Sequence, residues 1–214
     1  MGRIVARYDY TDSKGNPTFR KIRREGKRFQ MRCACWQDSK GVWHYRDGVP
    51  DEKFNLWIRA LYKLPEVVAA LRVDATVWWC EGEKDTESLI ALGLTATTTP
   101  NPSDLWDDQA RWFTRYRSQS EVIVVCDQDE HGGWWGWERY TALIRVGVDP
   151  RRITVIAPRS PLHKDVTDVI EATGSLDAVR VVRLDRLEAC AARYTATRAV
   201  RYAAYASPAP PETE

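Results

Sequence analysis

Five carboxylates stand where apolar runs stop. Glu81 ends Val77-Trp78-Trp79-Cys80, Asp127 and Asp129 follow Val122-Ile123-Val124-Val125-Cys126, and Asp165 and Asp168 come soon after Ile153-Thr154-Val155-Ile156. Asp127 and Asp129, at i and i+2 in extended chain, point to one side, and Asp165 and Asp168, at i and i+3, share a helix face. Carboxylates crowded in this way repel one another unless a cation neutralises them. A hard, oxygen-seeking ion, Mg²⁺ or Mn²⁺, suits such a donor set. An acidic residue after a strand is also often only a helix N-cap, and Asp85 and Ser103 are read as caps of that kind.

The elements that position these residues read as alternating strands and helices. Pro65 opens a short helix through Leu71. Strands follow at 75–81, 95–99, 121–127 and 152–158, separated by helices at 85–93, 103–118 and 136–147 and followed by another at 164–174. Continuous apolar strands joined by helices predict an α/β fold with a parallel sheet covered on both faces, in which ligands gather at the carboxyl ends of the strands. Residues 1–63 read differently, as short strands at 3–10, 18–24, 27–36 and 41–48 around Gly-rich turns, hence a small antiparallel β subdomain. The expected division is residues 1–63 (basic and β-rich), 64–175 (α/β), and 176–214, helical to about 204 and then a frayed tail.

The chain of 214 residues is 43% hydrophobic and 29% charged, which suits a soluble globular protein. No apolar run reaches the length of a membrane span and the N-terminus lacks a signal-peptide core, so a cytoplasmic location is expected. The net charge of +2 conceals an asymmetry: residues 1–32 hold ten basic and three acidic residues, a net +7 that leaves −5 for the remainder. Arg20, Lys21, Arg23, Arg24, Lys27 and Arg28 alternate with aromatic residues, a composition that suits phosphate backbones and base stacking as well as a solvated hairpin.

Other reactive residues take structural readings. Cys33 and Cys35 lack a second ligand pair at finger spacing and are expected on one face of a strand, while Cys80 and Cys126 are expected in the core. Trp134, Trp135 and Trp137 are expected to pack rather than stack on a base. Of the three histidines, His131 and His163 fall near the acidic edge.

This order of motifs resembles the TOPRIM domain of bacterial and phage primases, type IA and type II topoisomerases and some nucleases. Glu81-Gly82 is similar to its glutamate motif, Asp127-Gln128-Asp129 to its Asp-x-Asp motif, and Lys164-Asp165-Val166-Thr167-Asp168 to the third acidic motif of primases. The stretches 11–29 and 61–71 resemble the segment preceding TOPRIM in primases of phages and mobile elements. The resemblance implies that Glu81, Asp127 and Asp129 are catalytic and hold Mg²⁺ or Mn²⁺. Asp165 and Asp168 would support a second metal or the incoming nucleotide. Lys84, unless it only pairs with Asp85 or Glu81, and Lys164 would meet phosphates.

A small phage-type DNA primase core making RNA primers from ribonucleoside triphosphates on single-stranded DNA is the reaction implied, with residues 1–32 on the template. Such primases usually carry a zinc-binding module and often a helicase. The 214 residues contain neither, so both are expected as separate partners. Pro100-Asn101-Pro102-Ser103 stands where relatives often have consecutive glycines. A metal-dependent TOPRIM endonuclease and a non-catalytic nucleic-acid-binding accessory protein are the alternatives. Strand passage is not expected, since no topoisomerase cleavage domain is present.

Overall fold

The computed structural model describes residues 2–100 and 106–205, with backbone only at Lys27 and 199–205. Two sheets form the framework. The first is antiparallel, in the order β1 (Ile4–Thr11), β2 (Pro17–Arg24), β3 (Arg28–Gln37), β4 (Trp43–Asp47). A short helix α1 (Phe54–Trp57) and then α2 (Leu64–Arg72) lead to the second sheet.

That sheet comprises β5 (Val77–Cys80), β6 (Ala96–Thr97), β7 (Val122–Val125), β8 (Ile153–Pro158) and β9 (Val179–Val181), in the spatial order β6-β5-β7-β8-β9. β6, β5, β7 and β8 are parallel, as their apolar runs predict, and β9 is an antiparallel edge. The connecting helices are α3 (Glu83–Ala91), α4 (Trp106–Ala110), α5 (Glu130–Arg145) and α6 (Val166–Thr173), followed by α7 (Leu184–Tyr205).

Four expectations give way to packing. The helix expected over 103–118 is short: residues 103–105 lie outside the described residues, and α4 passes into a 3-10 segment, Arg111–Arg117, kinked at Tyr116 (φ 63°). Phe113 is fully buried and stacks on Trp79 at 5.0 Å, while Arg115 lies 4.0 Å over Trp112, so tertiary contacts override helical propensity there. α5 starts six residues earlier than expected. Its glycines read as loop, yet Cβ atoms at Gly132 and Gly136 would stand 2.5 Å from the Asp127 carbonyl oxygen and 2.1 Å from Cys126 Sγ, so they let the helix close on β7.

Residues 179–181, expected as helix, extend the sheet because β-branched valines pair with β8, Val179 with Pro158 and Val181 with Ile156. Cys33 is buried but Cys35 is exposed: the register moves from Ala34↔Tyr45 to Trp36↔His44, so Cys35 is the extra residue of a bulge. Cys80 and Cys126 are core residues, and Trp134 and Trp135 are buried as packing requires. Trp79, Trp106 and Trp135 enclose the fully buried Arg139. Among the described residues no helix is long and apolar enough to cross a membrane. The expected tail, 206–214, lies outside them.

Candidate functional site

Sheet register assembles the acidic edge. Cys80 of β5 pairs with Val125 of β7, so the next residues, Glu81 and Cys126, leave the sheet side by side and Asp127 follows at once. The Thr98 hydroxyl donates to the Glu81 carbonyl at 3.0 Å, which fixes the backbone there. Asp129 is the N-cap of α5, accepting from Gly132 N at 2.8 Å. The loop after β8 returns beside this one, with Gln128 N donating to the Lys164 carbonyl at 2.7 Å.

Lys164 then spans the pair of aspartates, its Nζ 2.9 Å from Asp127 Oδ2 and 3.6 Å from Asp129 Oδ2. Burial and the facing Glu81 push Asp127 up to about 7, outweighing the downward pull of Lys164. The same bond to Asp127 raises the Lys164 pKa. His131 Nδ1 lies 2.9 Å from Glu81 Oε1, and this contact raises the pKa of the imidazole. The other Glu81 oxygen, Oε2, is buried without a hydrogen-bond partner.

A divalent cation fits these residues on three observations: an orphaned buried carboxylate oxygen, an aspartate whose charge burial and its acidic neighbour disfavour, and an ammonium bridging two aspartates as a cation would. Among the described residues no three His, Cys, Asp or Glu side chains form a ready-made metal cluster.

The third acidic pair is engaged locally. Asp165 caps α6 by accepting from Asp168 N at 2.8 Å, and Asp168 Oδ2 accepts from the N–H of Lys164, one residue before the cap, at 2.9 Å. That backbone bond is the leading cause of a lowered Asp168 pKa. Lys84 Nζ lies 3.9 Å from both Asp168 and Glu171, rather than against Asp85 or Glu81. Asp85 is not a cap either. It is buried, accepts from the Thr167 hydroxyl at 2.6 Å, ties α3 to α6, and is pushed up to about 6 by burial. His163 has no described role at the edge.

The basic set divides by the two-residue period of a strand. Lys21 and Arg23 share the inner face of the first sheet, where Arg23 pairs across with Phe29; Arg20 and Arg24 lie on the outer face. Arg20 is held bidentately by Asp9 at 2.5 and 3.0 Å, and Arg24 by the Gly2 carbonyl and Gln30. Arg28 is exposed, and the side chain of Lys27 lies outside the described residues.

Lys21, Arg23 and Phe29 form one wall of a cleft of about 460 Å³ whose other wall holds Glu81, Asp127 and Lys164. The two sheets are joined at its edge. Glu83, only 4% exposed, accepts from the Tyr10 hydroxyl at 2.7 Å and from Lys21 Nζ, 2.8 Å away at its nearest. The sequence offers Tyr10 and Phe29 as rings that could stack on a base, and the exposed Phe29 stays available for that, whereas the Tyr10–Glu83 and Lys21–Glu83 bonds escape sequence reading because their partners lie far along the chain.

No protein-family profile and no curated protein matches the sequence. Solved structures do share its fold. A DnaG primase catalytic domain captured with single-stranded DNA superposes with a TM-score of 0.56 at 15% identity, covering 87% of this chain and 52% of that one. The Aquifex aeolicus primase, solved with zinc-binding and RNA polymerase domains, gives 0.54 at 18% identity, over 78% of this chain and 36% of that one. A DNA primase domain from Pseudomonas aeruginosa gives 0.54 at 18%, over 78% and 46%. The chain thus spans about a third to a half of the length of these proteins, and at these identities the likeness is one of fold.

Proposed function

We propose that this chain, whose α/β sheet and antiparallel appendage have the fold of primase catalytic domains, is a metal-dependent DNA primase core of the phage type. The observation that carries the reading is the cleft: an acidic edge suited to divalent cations faces a wall of Lys21, Arg23 and Phe29. In the reaction, a primer 3′-hydroxyl attacks the α-phosphorus of a ribonucleoside triphosphate and pyrophosphate leaves. Glu81, Asp127 and Asp129 would hold Mg²⁺ or Mn²⁺, with Asp165 and Asp168 in support. The ion supplies charge neutralisation and orientation of the phosphates when bound.

The chain's own groups do the rest. Thr98 and His131 hold Glu81 in place, one by its carbonyl and the other by its carboxylate. Lys164, beside Asp127 and Asp129, would be a phosphate partner at the edge, and Lys84, at the start of α3, would serve the same purpose. Arg23 offers a guanidinium to the strand and Phe29, 54% exposed, offers a ring to a base. The DnaG domain captured with single-stranded DNA supports a strand as template. A helicase and a zinc-binding module would act as separate partners, and the protein would work in the cytoplasm.

The test is templated synthesis. The protein with single-stranded DNA, four ribonucleoside triphosphates and Mn²⁺ is expected to make short RNA, and Glu81→Gln is expected to stop it, since an amide lacks the ligand charge. Shortened DNA without nucleotides would show an endonuclease instead. Binding with neither product, unrescued by helicase and zinc module, would leave the accessory role.

A further inference from the structure

Behind the Asp-x-Asp loop, on the side away from the basic sheet, lies a second and larger cavity of about 650 Å³. Its floor is the loop itself, Asp127 to Glu130, and four arginines converge on it: Arg180, Arg183, Arg186 and Arg193. The fold assembles them from two elements. Arg180 is fixed opposite Ala157 in the β9–β8 pair, Arg183 immediately precedes α7, and Arg186 and Arg193, seven residues apart, lie on one stripe of that helix. Helix α7 is held against α5 by a close contact, Cys190 Sγ standing 2.5 Å from where a Cβ of Gly133 would be. The stripe therefore cannot turn away from the cavity.

Much of this positive charge is not consumed internally. Arg186 has no ion pair among the described residues, and Arg180 Nε is buried without a hydrogen-bond partner. Arg183 pairs with Asp185, and Arg193 meets Glu130 only at 3.5 Å, both in exposed pairs of small worth. On the floor, Asp127 and Asp129 are already engaged by Lys164 from the opposite side. Planar guanidinium forks match phosphate oxygens in pairs, and the helix end adds partial positive charge. Ala157, Val182 and Leu187 supply an apolar wall.

We infer that this arginine-lined cavity is a second phosphate-binding site, separate from the acidic cleft, which takes either the phosphodiester backbone of a strand or a free polyphosphate. Its ligand would act on the acidic edge through Gln128. That side chain accepts from Arg180 Nη2 at 3.2 Å and donates to the Pro158 carbonyl at 2.8 Å, and its backbone separates Asp127 from Asp129. The site does not depend on metal chemistry and is present whether or not the cleft joins nucleotides.

The experiment measures binding in EDTA, with fluorescent oligothymidylate by anisotropy and inorganic triphosphate by calorimetry. The proteins compared are wild type, Arg186→Ala, Arg186→Ala/Arg193→Ala, and Arg111→Ala as an exposed control outside the cavity. If a strand occupies the site, the slope of log affinity against log salt for oligothymidylate falls by about 0.7 for each phosphate contact removed, while triphosphate binding is unchanged. If a free polyphosphate does, triphosphate binding weakens about tenfold per lost charged hydrogen bond and the oligothymidylate slope is unchanged. Losses in both mean that the site accepts both. Unchanged binding of both probes in Arg186→Ala and in the double variant, or an equal loss in Arg111→Ala, overturns the inference. Arg186, being unpaired, can be removed without disturbing the fold, which a thermal melt checks.

Discussion

The ammonium of Lys164 lies 2.9 Å from Asp127 Oδ2, on an aspartate that burial and Glu81 hold at a pKa of about 7. A tethered cation therefore offsets part of the repulsion that the acidic edge creates, and without metal the edge is only partly neutralised.

Removing that aspartate should abolish metal binding and relieve the repulsion. In Asp127→Asn, Mn²⁺ binding by calorimetry is expected to vanish. The EDTA-treated variant should melt higher than wild type at pH 8, by about 2–4 °C for each kcal/mol of repulsion removed. Retained Mn²⁺ affinity would dismiss Asp127 as a ligand.

Lys21 is expected to matter more to stability than to strand binding. Lys21→Met leaves Glu83 buried with only Tyr10 as a hydrogen-bond partner, and breaking such a buried pair costs about 3–5 kcal/mol. Urea unfolding measures it; a loss below 1 kcal/mol, taken as roughly the worth of an exposed pair, would mean that the two sheets are not clamped there.

The two faces of the first sheet should separate in salt titrations. Arg23→Ala, facing the cleft, is expected to lower the slope of log affinity for single-stranded DNA by about 0.7, and Arg20→Ala, already held by Asp9, to change it less. The reverse ranking would put the strand on the outer face.

Asp85 supplies a pH dependence. Its folded pKa of about 6 exceeds the ordinary 3.8, so between those values the folded chain holds a proton that the unfolded chain has released. Its contribution to stability therefore declines as pH rises from about 4 to 6 and stays low above that. Asp85→Asn, which keeps an acceptor for Thr167, is expected to raise the melting temperature at pH 8 more than at pH 4.5. A gain independent of pH would assign the effect to something other than this carboxyl.

The sequence showed those features that arise from local pattern. Apolar runs ending in carboxylates marked β5, β7 and the acidic edge, because a parallel strand buried on both faces carries no polar residue until it leaves the sheet. The early start of α5 was hidden, since Gly132 and Gly133 signal a loop unless the proximity of Asp127 and Cys190 is known. Likewise residues 179–181 read as part of a helix, and nothing near Cys35 announces a bulge. The Tyr10–Glu83 and Lys21–Glu83 bonds join residues 73 and 62 positions apart, beyond the reach of any spacing rule. The six basic residues proposed for nucleic acid read as one cluster because sequence proximity conceals the two faces of a strand.

The contact between Gly136 and Cys126 constrains how this chain can drift over generations. A methyl group at 136 would meet Cys126 Sγ at 2.1 Å, so alanine there is tolerable only where position 126 has first become smaller. Because residue 126 immediately precedes Asp127, such a compensating exchange would loosen the chain beside the acidic edge. The two positions are therefore expected to change together across descendants, and to do so rarely while the edge is under selection.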